Sequence, residues 1–180
     1  DFVMSRPIHT PADLKKTKIG SWESPVHVAF WKAQGAKPIP IPATAVFRAY
    51  TTGMVDSGAN TPNALVAWDD LFGPGFNRSK IFITPISFSY QSGILVVNKK
   101  QWDAMPPEYR DVFDSGMNAF TNRLREALRE SEPGNIEKLR KRGYQFSEMT
   151  PAQKAVFEKN SKKVYKEFEG KIGKEFMQRV

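Results

Sequence analysis

Residues 17–41 read TKIGSWESPVHVAFWKAQGAKPIPI, and this stretch predicts a strand, a helix and a second strand in succession. Pro25 suits the first helical position, where its missing N–H costs nothing, and Gly35 suits the residue just past the helix end. The flanking segments 17–20 and 37–41 are the candidate strands, and the two prolines of the second place it near a sheet edge. A helix between two strands is the unit from which α/β folds are built.

The same alternation of strand and helix continues on both sides of this unit. Before it, Phe2–Met4 predicts a short strand. After it, Ala43 to Thr52 predicts a helix, Met54-Val55 a very short strand, and Asn60-Thr61-Pro62 the start of another helix. Alternation of this kind favours an α/β fold with a mainly parallel sheet flanked by helices.

The later part of the chain begins with strand-forming sequence and ends with long helices. Strands are predicted at Lys80–Thr84 and Ser87–Asn98, which are rich in Ile, Val, Phe and Tyr. A long helix is predicted from Pro107 to about Glu130, and Pro133-Gly134 is predicted to interrupt it. The remaining predicted elements are a short basic helix at Ile136–Arg142, a strand at Tyr144–Phe146 and terminal helices capped by Thr150-Pro151.

The net charge of +8, from 27 basic and 19 acidic residues, is concentrated near the C-terminal end. The last 44 residues hold 12 basic and six acidic side chains, whereas residues 1–136 carry a net charge of only +2. Apolar side chains recur there at three- and four-residue spacing, at Phe157, Val164, Tyr165, Phe168, Ile172 and Phe176. This spacing predicts an amphipathic helix whose lysines face solvent. A nucleic-acid or membrane-surface patch is the alternative interpretation, and the interspersed glutamates favour the solvated face.

Few residues of the chain are suited to catalysis or metal binding. There is no cysteine, and the two histidines, His9 and His27, are too few for most metal sites and catalytic triads. No phosphate-binding loop, dinucleotide-binding glycine motif or nucleophile elbow occurs in the sequence. The neighbours Asp69 and Asp70 do not face each other on a helix, so a solvated or capping role fits them better than acid–base chemistry. We therefore expect no enzyme, no metal and no cofactor.

Polar and aromatic residues occur where predicted strands pass into helices, which is where open α/β sheets bind ligands. The candidate ligand-binding residues there are Gly20, Ser21, Trp22, Ala43 and Asn60, and Phe88, in the strand predicted at Ser87–Asn98, is a sixth candidate. Some also have a purely structural interpretation, since Asn60 suits a helix N-cap and Trp22 suits an apolar core. The pattern predicts a small-molecule binding site, and the alternatives stay open for each residue.

Four segments occur in an order that resembles one known family. They are PADLKKTKI at 11–19, QGAKPIPI at 34–41, VFRAYTTGMVD at 46–56 and VNKKQWDAMP at 97–106. These segments resemble the DctP-type solute-binding proteins, the extracytoplasmic receptors of tripartite ATP-independent periplasmic (TRAP) transporters. The resemblance covers nearly the whole chain.

The resemblance implies a class II periplasmic binding protein-like fold, in which two α/β lobes close on a ligand. Residues 1–85 and 126–180 would then form the second lobe, and residues 86–125 would cross back as a strand and long helix of an incomplete first lobe. Most of the first lobe would lie outside this chain, and a signal peptide is expected upstream of it.

The same resemblance implies a periplasmic receptor that captures a small organic solute, such as an organic acid, and delivers it to the membrane subunits of a transporter. A basic nucleic-acid-binding α/β module is the alternative from another functional class. The receptor interpretation includes no nucleic-acid partner.

Two candidate positions depart from the family pattern. The family usually has an arginine at the position of Gly20, where it forks onto a ligand carboxylate, and often has an aromatic residue at the position of Ala43. Asn60 matches the family asparagine, although its neighbours Ser57 and Thr61 differ. Without the arginine, either another cation, for example from the missing lobe, binds the carboxylate or the ligand is neutral or differently charged. Trp22 is then predicted to dominate by stacking or apolar contact.

Overall fold

The computed structural model describes residues 2–73, 77–86, 93–173 and 175, and it places helices on both faces of a six-stranded sheet. The strands are β1 (Phe2–Ser5), β2 (Lys18–Ser21), β3 (Lys37–Pro40), β4 (Ser57–Asn60), β5 (Phe82–Pro85) and β6 (Gln145–Phe146). The helices are α1 (Pro11–Leu14), α2 (Pro25–Ala33), α3 (Val46–Thr51), α4 (Pro62–Phe72), α5 (Lys99–Ala104), α6 (Pro107–Lys141) and α7 (Pro151–Ile172). Short 3-10 turns precede α3 at Ala43–Ala45 and β5 at Arg78–Lys80.

The strand order in the sheet is β3-β2-β4-β1-β5-β6. Strand β2 pairs in parallel with β3 and β4, and β5 pairs in parallel with β6. Strand β1 is antiparallel to both of its neighbours, β4 and β5. The prediction of a mainly parallel sheet flanked by helices is therefore confirmed, with β1 as the reversed strand.

Two apolar layers pack against the sheet. On one face, Ile19 of β2 packs with Trp31 of α2 and Phe157 of α7. In another cluster, Met4 of β1 packs with residues of α4 and α6 such as Leu65 and Leu139. Because successive strand residues point to opposite faces, burial of Ile19 under α2 turns the neighbouring residues of β2 toward the other side.

The fourth strand lies later in the chain than predicted. The prediction of a strand at Met54-Val55 is wrong, because no strand forms there: Met54 is exposed, and Val55 packs with Ile41 and Ala49 in a third apolar cluster. Strand β4 is formed by Ser57–Asn60, a sequence of low strand propensity, which is held between β1 and β2 by ladder hydrogen bonds. Tertiary pairing thus overrides local preference, and Asn60 ends a strand where it was predicted to open a helix.

Helix α6 is one continuous helix where the sequence predicted two. Pro133 lies inside it and is exposed, so the proline ring and the lost hydrogen bond are accommodated at the helix surface. Packing against α4 compensates for that cost on the other side of the helix. There Leu139 is buried, and Asn135 Nδ2 donates to Asn63 Oδ1 of α4 at 2.6 Å.

The first part of α6 presents an apolar surface to solvent. Only Asn135 and Leu139 of α6 are buried, and the large apolar residues before them include Tyr109, Val112 and Phe120, which are exposed. A boundary near residue 126 is compatible with this change in burial, and the division into 1–85, 86–125 and 126–180 stays a prediction. The strand predicted at 87–98 falls partly outside the described residues, and residues 93–98 form no strand.

The predicted amphipathic helix is α7. Phe157, Val164 and Phe168 are buried, and the buried Gln34, just past the end of α2, fixes the helix by donating to the Phe157 carbonyl at 2.9 Å. The lysines at 159, 162, 163, 166 and 171 are exposed, as expected for a solvated helix face. Within the described residues, no helix combines the length and the apolar character needed to cross a membrane.

Candidate ligand-binding site

A small pocket, with about 20 Å³ of space for the centre of a water-sized sphere, opens at the carboxyl ends of β2 and β3. Gly20, Ser21 and Trp22 line it from the end of β2. The other lining residues come from the loop after β3, from α3, β4 and α4: Ile41, Val46, Tyr50, Gly58, Ala59 and Trp68. The position of the pocket follows from the alternation along β2. Ile19 is buried on one face of the sheet, so Gly20, the next residue, lies on the opposite face.

The loop that carries Trp22 is fixed by a histidine of the following helix. The backbone N–H of Trp22 donates to Nδ1 of His27 at 3.1 Å, so this nitrogen carries no proton. The Ser21 hydroxyl lies 2.8 Å from the same nitrogen and is placed to donate to it. Pro25 at the start of α2 brings His27 back over the strand end, so that one imidazole sets the position of two pocket residues.

We expect the stability of the protein to fall with acidification through the titration of His27. Burial lowers the pKa of His27 to about 4 from its ordinary value near 6.5. As the pH falls, His27 is therefore protonated first in the unfolded chain. The stability that neutral His27 provides is complete above about pH 6.5 and is progressively lost between pH 6.5 and about pH 4. Because the ring is only partly buried, we expect a loss of about 1–2 kcal/mol.

Urea unfolding of the wild type and of His27→Asn between pH 4 and pH 7 measures this effect. The asparagine does not titrate, and its side-chain oxygen can still accept the Trp22 N–H. The wild type should lose more stability than the variant across this range. Equal pH dependence of the two proteins would show that His27 does not contribute.

Tyr50 and Gly58 form the tightest contact in the pocket wall. The Tyr50 hydroxyl is buried against the α-carbon of Gly58, and a Cβ built on Gly58 would overlap it. Burial, with a further contribution from the charge of Asp56, raises the pKa of Tyr50, so the phenol stays neutral. Gly58 is thus required by the packing of an aromatic wall rather than by an unusual backbone conformation.

The structure brings together three of the six predicted site residues. Gly20, Ser21 and Trp22 line the pocket, whereas Ala43 is exposed in the 3-10 turn and does not. Asn60 is buried at the end of β4, and its Oδ1 accepts the Thr61 N–H at 3.0 Å. Phe88 lies outside the described residues. A ligand-binding role for these six residues stays a prediction.

The sequence analysis did not predict the aromatic pocket residues that helices contribute. Tyr50 and Trp68 lie on α3 and α4, and a helical pattern indicates which residues share a face but not what that face contacts. Val46 and Tyr50 are four residues apart on α3, so they share one face, and this spacing was the available signal.

The acidic pair on α4 has a structural role. Asp69 is buried and binds Arg78 Nε at 2.7 Å, Arg142 at 2.8 Å and the Tyr144 hydroxyl at 2.7 Å. Asp70 is exposed and shares Arg142, at 2.6 Å. The predicted solvated or capping role is therefore wrong for Asp69, which joins α4 to the end of α6 and to β6.

The pocket has the chemistry of a binding site. Among the described residues, those that line it carry no charge, and no group of three or more metal-ligating side chains comes together. Aliphatic side chains and the rings of Trp22, Tyr50 and Trp68 provide apolar contact area at the end of a parallel sheet. A lining of this composition is common in small-molecule sites.

Comparison with known families agrees with this geometry. The profile described as "Bacterial extracellular solute-binding protein, family 7", the DctP family, matches residues 1–171. The chain belongs to this family. The members of family 7 are solute-binding proteins rather than enzymes, and the resemblance of the four sequence segments is confirmed.

Two curated relatives support membership of the family. The 2,3-diketo-L-gulonate-binding periplasmic protein YiaO of Escherichia coli is 31% identical over 144 residues, which cover 79% of this chain and 42% of that protein. The C4-dicarboxylate-binding periplasmic protein DctP of Vibrio cholerae is 26% identical over 179 residues, 97% of this chain and 51% of that protein. The chain therefore spans about half the length of these curated relatives.

A solved structure shows the same architecture. A TRAP periplasmic solute-binding protein from Ralstonia eutropha, with bound (S)-2-acetolactate, superimposes with a TM-score of 0.83 at 25% identity. The match covers 99% of this chain and 57% of that one. The periplasmic binding protein-like fold predicted from the sequence is therefore confirmed.

Proposed function

We propose that this family 7 chain contributes a solute-binding lobe to the periplasmic receptor of a TRAP transporter. The observation that carries the proposal is the pocket at the carboxyl ends of β2 and β3, where three sequence-predicted residues meet the rings of Tyr50 and Trp68. A solute held there would be presented to membrane subunits, which are the proposed partners. No catalytic step is part of the proposal.

The alternative, a nucleic-acid-binding module, has no observation in its favour. Its sequence basis was the basic charge near the C-terminus, and the lysines of α7 lie on the exposed face of a helix whose other face is in the core. Exposed lysines interspersed with glutamates are typical of a solvated helix face.

Calorimetric titration of the chain with small organic solutes tests the proposal. The panel contains C4-dicarboxylates, 2,3-diketo-L-gulonate and 2-acetolactate, which the names of the relatives suggest, together with uncharged analogues of each. Saturable binding of one solute, with matching thermal stabilisation, is the expected result. Absence of saturable binding across the panel would contradict the proposal.

Trp22→Ala should weaken binding of the solute found in this way by roughly 10- to 100-fold, because the indole wall of the pocket is lost. Trp102→Ala is the matched control, since Trp102 lies in a separate groove beside Phe113 of α6. The control should bind as the wild type does. Equal losses in both variants would argue against a site at Trp22.

A further inference from the structure

The lining of the pocket has a consequence for the kind of solute it can hold. Among the described residues, those that line it are aliphatic, aromatic or hydroxyl-bearing, and none is charged. The Ser21 hydroxyl is already engaged with His27 and lies 3.1 Å from the Trp22 carbonyl. The side chains therefore provide apolar contact and flat ring faces rather than a counter-charge.

Gly20, which has no side chain, and Ile41 form the floor of the pocket. A Cβ built on Gly20 would lie 3.0 Å from Ile41 Cδ1 and 3.6 Å from the Ser57 carbonyl oxygen. The Ile41 side chain would therefore have to move by a few tenths of an ångström to admit a side chain at position 20. Gly20 and Ile41 together form an apolar surface at the point where β2 and β3 end.

The charged side chains near the pocket bind other groups of the protein or lie on another face of their helix. The ammonium group of Lys18, on β2, donates to the Gly53 carbonyl. Arg48 is exposed on α3 and lies two positions from Val46 and from Tyr50, on the opposite side of the helix. The carboxylate of Asp69 is bound to Arg78 and Arg142. Among the described residues, none that lines the pocket provides a cation for a carboxylate, and burial of an unpaired charge is strongly unfavourable.

We infer that an uncharged, apolar portion of the solute, such as a ring or a short aliphatic chain, packs against the open mouth of this pocket, rather than a carboxylate. The inference rests on the proposed function and names the substrate class of the same site. It concerns the portion held in this pocket, and a charged group at another end of the same molecule is compatible with it. Trp22, Tyr50 and Trp68 provide the ring faces against which that portion packs.

A matched pair of probes tests the inference. Benzamide and benzoate share one ring and nearly the same size, and they differ in charge at neutral pH. Ligand-observed NMR titration of the chain should show benzamide binding at least ten-fold tighter, a difference of about 1.4 kcal/mol. Trp22→Ala should remove that preference, whereas Trp102→Ala should keep it. Equal or tighter binding of benzoate would overturn the inference.

A charge placed in the wall provides an independent check. Val46→Lys introduces an ammonium group at the half-buried start of α3, and Val46→Met adds length without charge. The lysine variant should favour benzoate over benzamide, and the methionine variant should keep the wild-type order. An unchanged order in a folded lysine variant, judged by circular dichroism, would overturn the inference.

The outcomes also separate this inference from the proposed function. If a carboxylate solute from the panel binds and depends on Trp22 while benzoate matches benzamide, the receptor function stands and the inference fails. If no solute and no probe binds in a Trp22-dependent manner, both fail. If benzamide is preferred and an uncharged or apolar-ended solute binds, both are supported.

Discussion

Asp69→Ala is expected to lower the free energy of unfolding by about 3 kcal/mol. Removing one partner of a buried ion pair costs about 3–5 kcal/mol, because the remaining charges and donors are left without their partner. The lower end of this range applies, since Arg78 and Arg142 are 34% and 30% exposed and can be hydrated in the variant. The Asp69 side chain itself is only 2% exposed. Chemical denaturation of the wild type and the variant measures the difference.

The neighbouring residue provides a matched control. Asp70 lies next to Asp69 on the same helix and binds the same Arg142, but its side chain is 58% exposed. Exposed ion pairs contribute about 0–1 kcal/mol, so Asp70→Ala should change the free energy of unfolding by less than about 1 kcal/mol. Similar losses in both variants would show that burial of Asp69 does not determine the effect.

The stabilisation by Asp69 should also appear in the pH dependence of the free energy of unfolding. Burial alone raises the pKa of Asp69, but the hydrogen bonds and charge of Arg78, with those of Tyr144 and Arg142, lower it below its ordinary value of 3.8. The folded-state pKa of Asp69 lies below its unfolded-state pKa. The stabilisation is therefore complete above the unfolded-state pKa, and it is lost as the pH falls through the folded-state pKa. The contribution of Asp69 is therefore intact at neutral pH.

Much of the strand and helix order could be predicted from the sequence. Pro25, Gly35 and the periodicity of α7 are local signals, and the elements they predict occur in the structure. The failures concern segments whose conformation depends on distant partners. Strand β4 forms between β1 and β2 despite its composition, and α6 continues through Pro133 because α4 holds its later turns.

The site residues likewise divide into those that the local sequence predicts and those that depend on distant contacts. Gly20, Ser21 and Trp22 follow from one rule, that ligands bind at the carboxyl ends of parallel strands, and this rule needs only the position of β2. Ala43 was placed by the same rule, but it lies exposed in the 3-10 turn before α3, and Ile41 and Val46 line the pocket instead. Tyr50 and Trp68 depend on how α3 and α4 rotate against the sheet, which no local pattern specifies.

Gly58→Ala is expected to destabilise the protein by about 2 kcal/mol, within the range of about 1–3 kcal/mol for overpacking a rigid site. The added methyl group would overlap the Tyr50 hydroxyl, which is buried and cannot swing into solvent without moving the ring. The displaced ring would also narrow the pocket, so solute binding should weaken in parallel with stability. Chemical denaturation and calorimetric titration of the variant measure the two effects.

A double-mutant cycle identifies the atom responsible. In Tyr50→Phe the hydroxyl is absent, and the next ring atoms, Cζ and Cε2, would lie 3.3 and 3.5 Å from the new methyl group, which is tight but tolerable. Adding Gly58→Ala to Tyr50→Phe should therefore cost less than half of what it costs in the wild type, whatever Tyr50→Phe costs by itself. An equal cost in both backgrounds would mean that β4 resists a side chain at position 58 for another reason. A reduced cost would establish that Gly58 is required because it makes room for the aromatic wall of the pocket.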